Sequence, residues 1–358
     1  MYHLTCKGRN LAMTYANKQK HTTRREFVKQ TAVGAAGIMG ASVLNPSLLH
    51  ALQASQGIIG PKNGKFAKYV KPIKFIDPGW GSIRPWARMD ASFLEGEKLT
   101  IDMGTVIYAG KIGKEPYGPH VHDFDQVIYL LGGDCYNMGE LNAEVELCLG
   151  EENEVHEINS TTAVYIPRGM PHFPLTVKRM SKRFYYMEIS MAPEYKETQL
   201  PAAQPGKVAG MISKYRNNMV RPAFIRKTPG AMDPQNRDDS GGALATITNK
   251  LFPTLIMCES LIKWPYRFPN PAYHTHSQPE FIVFMGGDPD DPTKLGGEVE
   301  LYLGGKGEAE RYLVTVPIVW IVPAHVPHCP LIVTKVDKPF IFTDIRPYGT
   351  GDAPKKEA

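Results

Sequence analysis

Cysteine is scarce in this sequence, with five residues in a chain of 358. No two of them stand in Cys-x-x-Cys spacing, so a zinc site built from cysteines is disfavoured. We therefore predict that four of them are small core residues, namely Cys135, Cys148, Cys258 and Cys329. An oxidising compartment would leave a disulfide bond open as an alternative.

Positive charge is concentrated at the N-terminus and is missing from the rest of the chain. Residues 1–54 carry seven Lys and Arg against one Glu, a net charge of +6, whereas the whole chain carries +5. Residues 55–358 are therefore close to neutral, with a net charge of −1. A near-neutral body offers no electrostatic attraction for a polyanion, so we expect no nucleic-acid partner.

The apolar run near the N-terminus, residues 31–44, is too short and too rich in Gly and Ala for a transmembrane helix. A charged segment, residues 23–29, precedes it, and this order is typical of a secretory signal. The adjacent Arg24 and Arg25 resemble a twin-arginine export signal. The resemblance implies transport of the folded protein by the twin-arginine translocase, so we expect a periplasmic or extracellular location.

The body of the chain aligns with itself. At an offset of 154 residues, His120–His122 matches His274–His276, Gly132–Asp134 matches Gly286–Asp288, Glu144–Gly150 matches Glu298–Gly304, and Met103 matches Met257. After residue 150 the offset becomes 156, as in Pro171–His172 with Pro327–His328. A two-residue insertion explains the change, so the body is a duplicated module of roughly 100 residues.

Each copy has the sequence pattern of β-strands. Short runs of apolar, β-branched and aromatic residues are bounded by Gly or Pro, as at residues 145–149, 163–166, 281–285 and 340–345. Thirty prolines and 33 glycines favour many turns over long helices. We predict an all-β fold, with a sandwich, a barrel or a jelly roll in each copy.

These patterns divide the chain into six segments. They are a leader (1–54), an N-terminal arm (55–95), module 1 (96–192), a linker (193–245), module 2 (246–348) and a tail (349–358). The linker is rich in Pro, Asn, Asp and Gly, and the arm contains Trp80 and Trp86. We expect the arm to pack against a barrel.

Module 2 contains a set of residues suited to a metal ion. Side chains on a β-strand repeat every two residues, so His274 and His276 lie on one face. Glu280 follows four residues later, and His328 comes further along the chain. Three neutral imidazoles and a carboxylate suit a divalent transition ion and leave positions open for water, dioxygen or a substrate.

Module 1 repeats this set with one change. His120, His122 and His172 match the three histidines, and Gln126 stands in the place of the Glu. A neutral amide leaves more positive charge uncompensated in a low-dielectric barrel than a carboxylate does. We therefore predict that both modules bind metal, that module 2 binds it more tightly, and that chemistry takes place in module 2. The alternative for module 1 is a decayed copy whose histidines hydrogen-bond inside the barrel.

The spacing of these residues resembles the cupin family. The stretch His274-x-His276-x3-Glu280 is similar to the first cupin motif, and Pro323–His328 is similar to the core of the second. The resemblance covers residues 96–348 as a bicupin and implies two tandem double-stranded β-helix barrels of the jelly-roll type. It also implies eight metal ligands, which are His274, His276, Glu280, His328, His120, His122, Gln126 and His172.

The resemblance implies a metal-dependent enzyme, although one barrel can host several chemistries. The leading expectation is an oxygenase or decarboxylase acting on a small organic acid, phenol or enol. Iron or manganese is the favoured ion, with nickel, copper or zinc as alternatives. An isomerase or lyase on a sugar-like substrate stays open, as does a non-catalytic metal- or ligand-binding protein. A homo-oligomer is compatible with each of these.

Two further side chains are candidates for acid–base catalysis. Tyr273 precedes the His-x-His of module 2, and His325 replaces the usual glycine of the second motif. Cupins that decarboxylate oxalate carry an Arg before the His-x-His and a Trp after the Glu. The residues at those places are Pro271 and Phe281 in module 2 and Tyr117 and Val127 in module 1, so oxalate is disfavoured.

Overall fold

The structure is a computed structural model that describes most of the chain. The described residues are 57–79, 81–113, 115–202, 204, 206–210, 213–226, 242–247, 252, 254–268, 273–347 and 355–356. The predicted leader lies outside them, as do part of the predicted linker and most of the predicted tail.

Nearly all regular structure in these residues is β-strand, which confirms the predicted all-β class. The strands up to residue 226 are β1 (Ile58–Ile59), β2 (Val70–Pro72), β3 (Ile83–Met89), β4 (Thr100–Val106), β5 (Gly110–Ile112), β6 (His120–Val121), β7 (Gln126–Gly132), β8 (Glu140–Leu149), β9 (Glu154–Ser160), β10 (Thr162–Ile166), β11 (His172–Met180), β12 (Phe184–Ser190), β13 (Thr198–Gln199), β14 (Met219–Val220) and β15 (Ile225–Arg226).

The later strands are β16 (Ala243–Ile247), β17 (Thr254–Leu261), β18 (Tyr266–Arg267), β19 (His274–Thr275), β20 (Glu280–Gly286), β21 (Gly297–Leu303), β22 (Glu310–Val314), β23 (Ile318–Val322), β24 (His328–Val336), β25 (Phe340–Pro347) and β26 (Lys355–Lys356). The described residues also contain two short 3-10 helices, Ala67–Tyr69 and Arg216–Asn218. No helix in this part of the chain has the length and apolarity needed to cross a membrane.

The strands form two barrels, and each barrel consists of two antiparallel sheets. In module 1 the sheets have the orders β14-β10-β7-β12-β4-β3 and β13-β6-β11-β8-β9, with β5 paired to β11. In module 2 the orders are β15-β16-β17-β25-β20-β23-β2 and β1-β22-β21-β24-β19-β26, with β18 paired to β24. Strands far apart in sequence are neighbours, such as β7 with β12 and β20 with β25, as in a double-stranded β-helix.

Strands β7 and β20 are buried on both faces because each separates two hydrophobic cores. Tyr129 of β7 and Phe281 of β20 face a core that lies between the modules. Ile128 of β7 and Ile282 of β20 face the core inside their own barrel. Since side chains alternate along a strand, the first residue of each strand, Gln126 or Glu280, faces the barrel interior.

The core between the modules is continuous, and polar contacts reinforce it. Residues of β4, β7 and β12 share one apolar cluster with residues of β17, β20 and β25. The Tyr185 hydroxyl donates a hydrogen bond to the carbonyl oxygen of Gly286 at 3.0 Å. Arg183 forms an ion pair with Asp290 at 2.9 Å. The two barrels are therefore joined by the apolar faces of two sheets.

The structure corrects one detail of the internal alignment. Strands β12 and β25 are equivalent, and Phe184 of β12 matches Phe340 of β25. Phe184 pairs with Val106 of β4, and Phe340 pairs with Leu261 of β17. Val106 and Leu261 are therefore equivalent, at an offset of 155. Upstream matches such as Met103 with Met257 are therefore one residue out of register, and such a slip would turn every side chain to the opposite face. Met103 is equivalent to Cys258, and both lie in the core between the modules.

One strand of the segment that precedes each module joins the barrel of the other module. The arm strand β2 pairs with β23 of module 2, and the linker strand β14 pairs with β10 of module 1. A 3-10 helix leads into each strand. Next to it, Phe66 lies against Gly304 and Tyr215 lies against Gly150, two equivalent glycines with positive φ. Each barrel therefore includes a strand from the segment that precedes the other module.

The four cysteines in the described residues are buried free thiols, so they form no disulfide with one another. Burial raises the pKa of Cys135 and of Cys258 to about 12. A thiol with such a pKa stays protonated and unreactive near neutral pH. These cysteines act as small core residues, as the sequence predicts.

Candidate metal centre

The strands of module 2 bring the predicted ligands together in the barrel. His274 on β19 lies directly opposite His328 on β24 in the antiparallel pairing. His276 follows two residues after His274, and Glu280 begins β20 on its barrel-interior face. All four side chains are buried, with at most 7% of their surface exposed. The site is therefore built from three neighbouring strand ends.

The histidines of module 2 converge closely. One ligand atom from each of His274, His276 and His328 lies within 4.8 Å of the others. The carboxylate oxygen Oε2 of Glu280 lies 3.0 Å from Nε2 of His328 and 3.6 Å from Nε2 of His276. Ligand atoms each about 2.1 Å from one ion are expected roughly 3 to 3.5 Å apart. The donor set of module 2 thus fits a divalent transition ion.

Hydrogen bonding inside the site supports the same conclusion. Nε2 of His276, Nε2 of His328 and Oε2 of Glu280 are buried, and none of these atoms forms a hydrogen bond of acceptable geometry to a described residue. Buried polar atoms normally have a partner. Nδ1 of His328 lies 3.2 Å from the carbonyl oxygen of Val326, and this contact fixes the ring with Nε2 directed at the cluster.

Burial keeps the imidazole of His276 neutral. It lowers the pKa of His276 to about 4, so this ring carries no charge near neutral pH. Burial alone would raise the pKa of Glu280, but His328 and Arg346 outweigh it and hold that pKa well below its usual value. A neutral imidazole beside an ionised carboxylate is the combination of protonation states that binds a cation.

Arg346 is a member of this site that sequence reasoning missed. Its Nη2 lies 2.9 Å from Oε1 of Glu280 and 2.8 Å from Oδ2 of Asp344. The guanidinium occupies one carboxylate oxygen of Glu280 and leaves the other, Oε2, for an ion. Nη1 also lies 3.4 Å from Nδ1 of His276, near the limit of hydrogen bonding.

Module 1 brings its predicted ligands together in the same way but less closely. His120 on β6 lies opposite His172 on β11, and their rings are 4.2 Å apart, the same distance as between His274 and His328. The two rings of the His-x-His are 6.4 Å apart in module 1, compared with 4.9 Å in module 2. The ring of His122 thus lies farther from His120, although it lies 4.8 Å from the ring of His172, closer than the 5.2 Å between His276 and His328.

Neighbouring side chains contact two of the rings of module 1. The ring of His122 is stacked on Phe124 at 4.3 Å, and Gln278 occupies the equivalent position in module 2. Nε2 of His120 lies 3.3 Å from the hydroxyl of Tyr195. Burial lowers the pKa of His120, His122 and His172, so these imidazoles are also neutral.

The amide of Gln126 is held in a defined orientation. Its Nε2 donates to Oε1 of Glu188 at 2.8 Å and to Oγ of Ser190 at 3.1 Å. Its Oε1 is buried and forms no hydrogen bond to a described residue, so this oxygen is the atom available to an ion. Ser190 of β12 is equivalent to Arg346 of β25. Ser190 lies opposite Gln126 in the neighbouring strand, and Arg346 lies beside Glu280 in the same way.

The sequence contained a signal for Arg346. In the internal alignment, Gln126 with Ser190 in module 1 becomes Glu280 with Arg346 in module 2. Module 2 carries an acidic and a basic residue, 66 residues apart, where module 1 carries two neutral residues. Such a paired change indicates contact between the two side chains, and the structure shows that contact.

The two predicted acid–base residues lie at the margin of the site. Neither the Tyr273 nor the His325 side chain forms a hydrogen bond or ion pair with a described residue, and His325 is exposed. His325 has a φ of 63°, and its backbone N–H donates to the carbonyl oxygen of His276 at 2.8 Å. Gly169 makes the same contact with His122 in module 1 at a φ of 75°. The structure thus gives His325 a role in a turn, and its catalytic role stays a prediction.

Comparisons with known proteins give a likeness of fold only. No family model matches the sequence, and no curated protein matches it. Similar solved structures include an arginine-to-alanine variant of oxalate decarboxylase from Bacillus subtilis, 11% identical over 73% of this chain and 72% of that one, with a TM-score of 0.48. A two-residue deletion variant of that enzyme is 11% identical over 81% and 76%, also with a TM-score of 0.48.

A third similar structure, determined to assign the Mn(II) centres of the Bacillus subtilis enzyme, is 12% identical over 73% of this chain and 72% of that one, with a TM-score of 0.47. At these values the metal and the reaction belong to that enzyme. The double-barrel fold of the present chain rests on its own strand pairing, and its candidate site rests on its own side chains.

Proposed function

We propose that the protein is a metal-dependent enzyme of the oxygenase or decarboxylase type, with its metal centre in module 2. The observation that carries this proposal is the convergence of His274, His276, His328 and Glu280 in a buried barrel site. On an ion that takes six ligands, such as iron or manganese, four protein ligands leave coordination positions for a substrate. Iron or manganese is the favoured ion for this donor set, and nickel, copper or zinc is the alternative.

The residues of module 2 have distinct parts in such an enzyme. A bound divalent ion supplies Lewis acidity and, for iron or manganese, redox chemistry. The three imidazoles would hold the ion, and Glu280 would offset part of its charge. Arg346 orients Glu280 through Oε1. The barrel walls keep bulk water away from the reacting groups, which strengthens electrostatic interactions there.

A small organic acid, phenol or enol is the proposed substrate class. The interior of module 2 is apolar around the ligands, and the ring of Trp320 lies 6.0 Å from that of His328. Phe342 belongs to this interior core, whereas Phe281 faces the core between the modules and does not contribute to the site. An apolar enclosure with one metal position favours a small substrate with a single metal-binding group.

Metal analysis and assays on the same protein test this proposal. The protein is purified without air, its metal content is measured, and oxygen uptake and carbon dioxide release are followed with small acids, phenols and enols. We expect His276→Ala to lose metal and turnover, while the matched variant His122→Ala keeps turnover. Turnover that survives His276→Ala would refute a reaction centre in module 2.

Two other outcomes would favour the alternatives. Tightly bound metal without turnover in the parent protein would favour a metal- or ligand-binding protein. Zinc together with isomerisation or elimination of a sugar-like substrate would favour the isomerase or lyase.

We further propose that the protein is exported by the twin-arginine translocase to the periplasm or beyond. The support is the sequence around Arg24 and Arg25, which lies outside the described residues. This route carries folded proteins, so a metal acquired in the cytoplasm could travel inside the barrel.

A further inference from the structure

Module 1 contains a cavity of about 410 Å³ beside its histidine cluster. Strand β3 of the arm contributes Trp86 and Arg88 to its wall, and the segment after β12 contributes Glu197. Asp102 and Glu188 line it from the barrel strands. The volume lies within the range of ligand sites for small molecules. We call this space the module 1 pocket.

The Arg88–Asp102 pair of the module 1 pocket has no counterpart in module 2. Arg88 of β3 and Asp102 of β4 are paired residues. With the register given by the strand pairing, the equivalent residues on β16 and β17 are Thr246 and Met257, which are also paired. The ion pair is therefore particular to module 1.

The apolar wall also differs between the modules. Ile112 lines the module 1 pocket and pairs with Leu175 of β11. Phe268 is its equivalent in module 2, because it lies opposite Leu331, the matching residue of β24. Tyr186, which also lines the pocket, is equivalent to Phe342. In module 2 the rings of Phe268 and Phe342 pack 4.6 Å apart in the barrel core. Module 1 has a smaller side chain and a hydroxyl at these places.

The charges in the module 1 pocket disfavour an anionic ligand. Arg88 is the only Lys or Arg among the described residues that line it, and three carboxyl groups line it too. The guanidinium of Arg88 already forms two hydrogen bonds with Asp102, both at 2.7 Å. A carboxylate or phosphate would therefore meet the carboxyl group of Glu197 without a free cation, since Arg88 is already paired with Asp102. Carboxyl groups accept hydrogen bonds from hydroxyl groups, so a hydroxylated ligand suits them.

The aromatic side chains of the module 1 pocket favour a ring. Trp86 and Tyr195 flank the guanidinium of Arg88, which lies 5.1 Å and 5.3 Å from their ring centres. Both rings thus already form a cation–π contact with Arg88, so neither calls for a cationic ligand. Phe173 lines the pocket next to His120, with ring centres 4.9 Å apart. Flat apolar faces beside hydrogen-bond acceptors are complementary to a ring with hydroxyl groups.

We propose that the module 1 pocket binds a neutral ring compound with several hydroxyl groups, of the saccharide or the phenolic type. The Arg88–Asp102 pair and Glu197 contact the hydroxyl groups, and Trp86 covers the ring. This binding site is separate from the metal centre of module 2 and does not depend on the function proposed for it.

Calorimetric titration of the full-length protein tests this inference. Glucose represents saccharides, catechol represents phenols, and oxalate represents small anions, each added to metal-loaded and to metal-stripped protein. We expect saturable binding of glucose or of catechol in both forms and no binding of oxalate to the stripped form. The probe that binds distinguishes a saccharide site from a phenol site.

Variants locate the binding in the module 1 pocket. Trp86→Ala and the double variant Arg88→Thr with Asp102→Met should each weaken binding about tenfold or more, because each removes stacking or a hydrogen-bonded pair. The double variant copies the residues that module 2 carries at the same register. Thr246→Ala in module 2 is the matched control and should bind as the parent does.

The inference is overturned by any of three results. Neither ring compound binds, or the pocket variants bind as tightly as the parent, or binding disappears when metal is stripped. If the double variant fails to fold, Trp86→Ala alone decides. Metal content measured on the same samples reports separately on the function proposed for module 2.

Discussion

At the scale of single residues, the two modules differ by a paired exchange. Glu280 and Arg346 of module 2 form an ion pair at 2.9 Å, whereas Gln126 and Ser190 of module 1 form a neutral hydrogen bond at 3.1 Å. A carboxylate without the guanidinium would be a buried charge with fewer partners. The two positions therefore differ together, and they set the charge available to a metal ion.

The first prediction concerns the fourth ligand. Glu280→Gln should reduce metal retention more than Gln126→Ala, because it removes the carboxylate from the predicted ligand set of module 2. The measurement is metal stoichiometry after graded chelation of the parent and both variants. Gln126→Glu should in turn tighten module 1. Equal loss from both modules, or retention by module 1 alone, would show that the difference between Glu and Gln does not rank the sites.

The second prediction concerns Arg346. Arg346→Met should weaken metal binding by about tenfold or more, because partners of a metal ligand commonly have effects of this size. It should also raise the pKa of Glu280, which Arg346 helps to lower, so that binding is lost at a higher pH than in the parent. Metal affinity measured as a function of pH checks both effects.

A matched pair of variants in module 1 completes the Arg346 test. Gln126→Glu with Ser190→Arg should bind metal more tightly than Gln126→Glu alone. An unchanged pH profile in Arg346→Met, or no gain from the added arginine, would argue against a positioning role.

The third prediction concerns Glu188 and pH. Burial raises the pKa of Glu188 to about 8, and the neighbouring Asp102 adds to this shift. The folded protein therefore keeps a proton that the unfolded chain releases above its ordinary pKa of 4.5, so this contribution to stability is lost as pH rises towards 8.

Glu188→Gln should remove that loss, on the order of 1–4 kcal/mol across the window. Urea unfolding of the metal-stripped parent and variant at the two ends of the window measures it. Parallel pH dependence in the two proteins would show that Glu188 is already ionised when folded.

At the scale of secondary-structure elements, the arm matters because it completes a distant barrel. Val70 of β2 is fully buried and lies opposite Trp320 of β23. Lys71, the next residue, donates a hydrogen bond to the carbonyl oxygen of Phe93 at 2.6 Å. The start of the arm, on module 2, is thus bonded to the end of the arm, which leads into module 1.

The fourth prediction tests the contribution of this strand. Val70→Ala should lower the free energy of unfolding by about 1.5–3 kcal/mol, because it removes buried methyl groups and leaves a cavity. Ile59→Ala in β1 is the matched control, since Ile59 is 56% exposed, and it should have little effect. Urea denaturation of both variants provides the comparison. Equal effects of the two changes would refute a core role for β2.

At the scale of the whole molecule, the two barrels share a core, and each includes a strand from the segment that precedes the other module. Neither module has a complete barrel in its own stretch of sequence, so we expect them to fold as one unit. A protein of this kind suits an export route that accepts folded cargo.

The fifth prediction concerns that route. Replacing Arg24 and Arg25 by Lys should retain the protein in the cytoplasm, because the twin-arginine translocase selects the arginine pair. Cell fractionation of the parent and of the double variant measures the exported share. Export of the double variant at the level of the parent would show that another route is used.

The sequence by itself determined the all-β class, the duplication and the candidate ligands. These follow from local patterns, because alternation on a strand, His-x-His spacing and a repeated order of motifs are visible in one dimension. The difference between Glu280 and Gln126 is visible in the same way. The register of β4 and β17 was missed by one residue, because chance matches outweighed a shift that only strand pairing reveals.

Only the tertiary structure decided which residues of different strands come into contact. Arg346 reaches Glu280, and the arm strand β2 lies on module 2, both through contacts between strands that are distant in sequence. Arg88 pairs with Asp102 across two consecutive strands. Such contacts depend on sheet order and on which face of a strand looks inward. A cavity has no sequence signature either, since it arises where side chains of several strands fail to fill a space. The module 1 pocket and the orientation of Glu280 therefore became visible only in three dimensions.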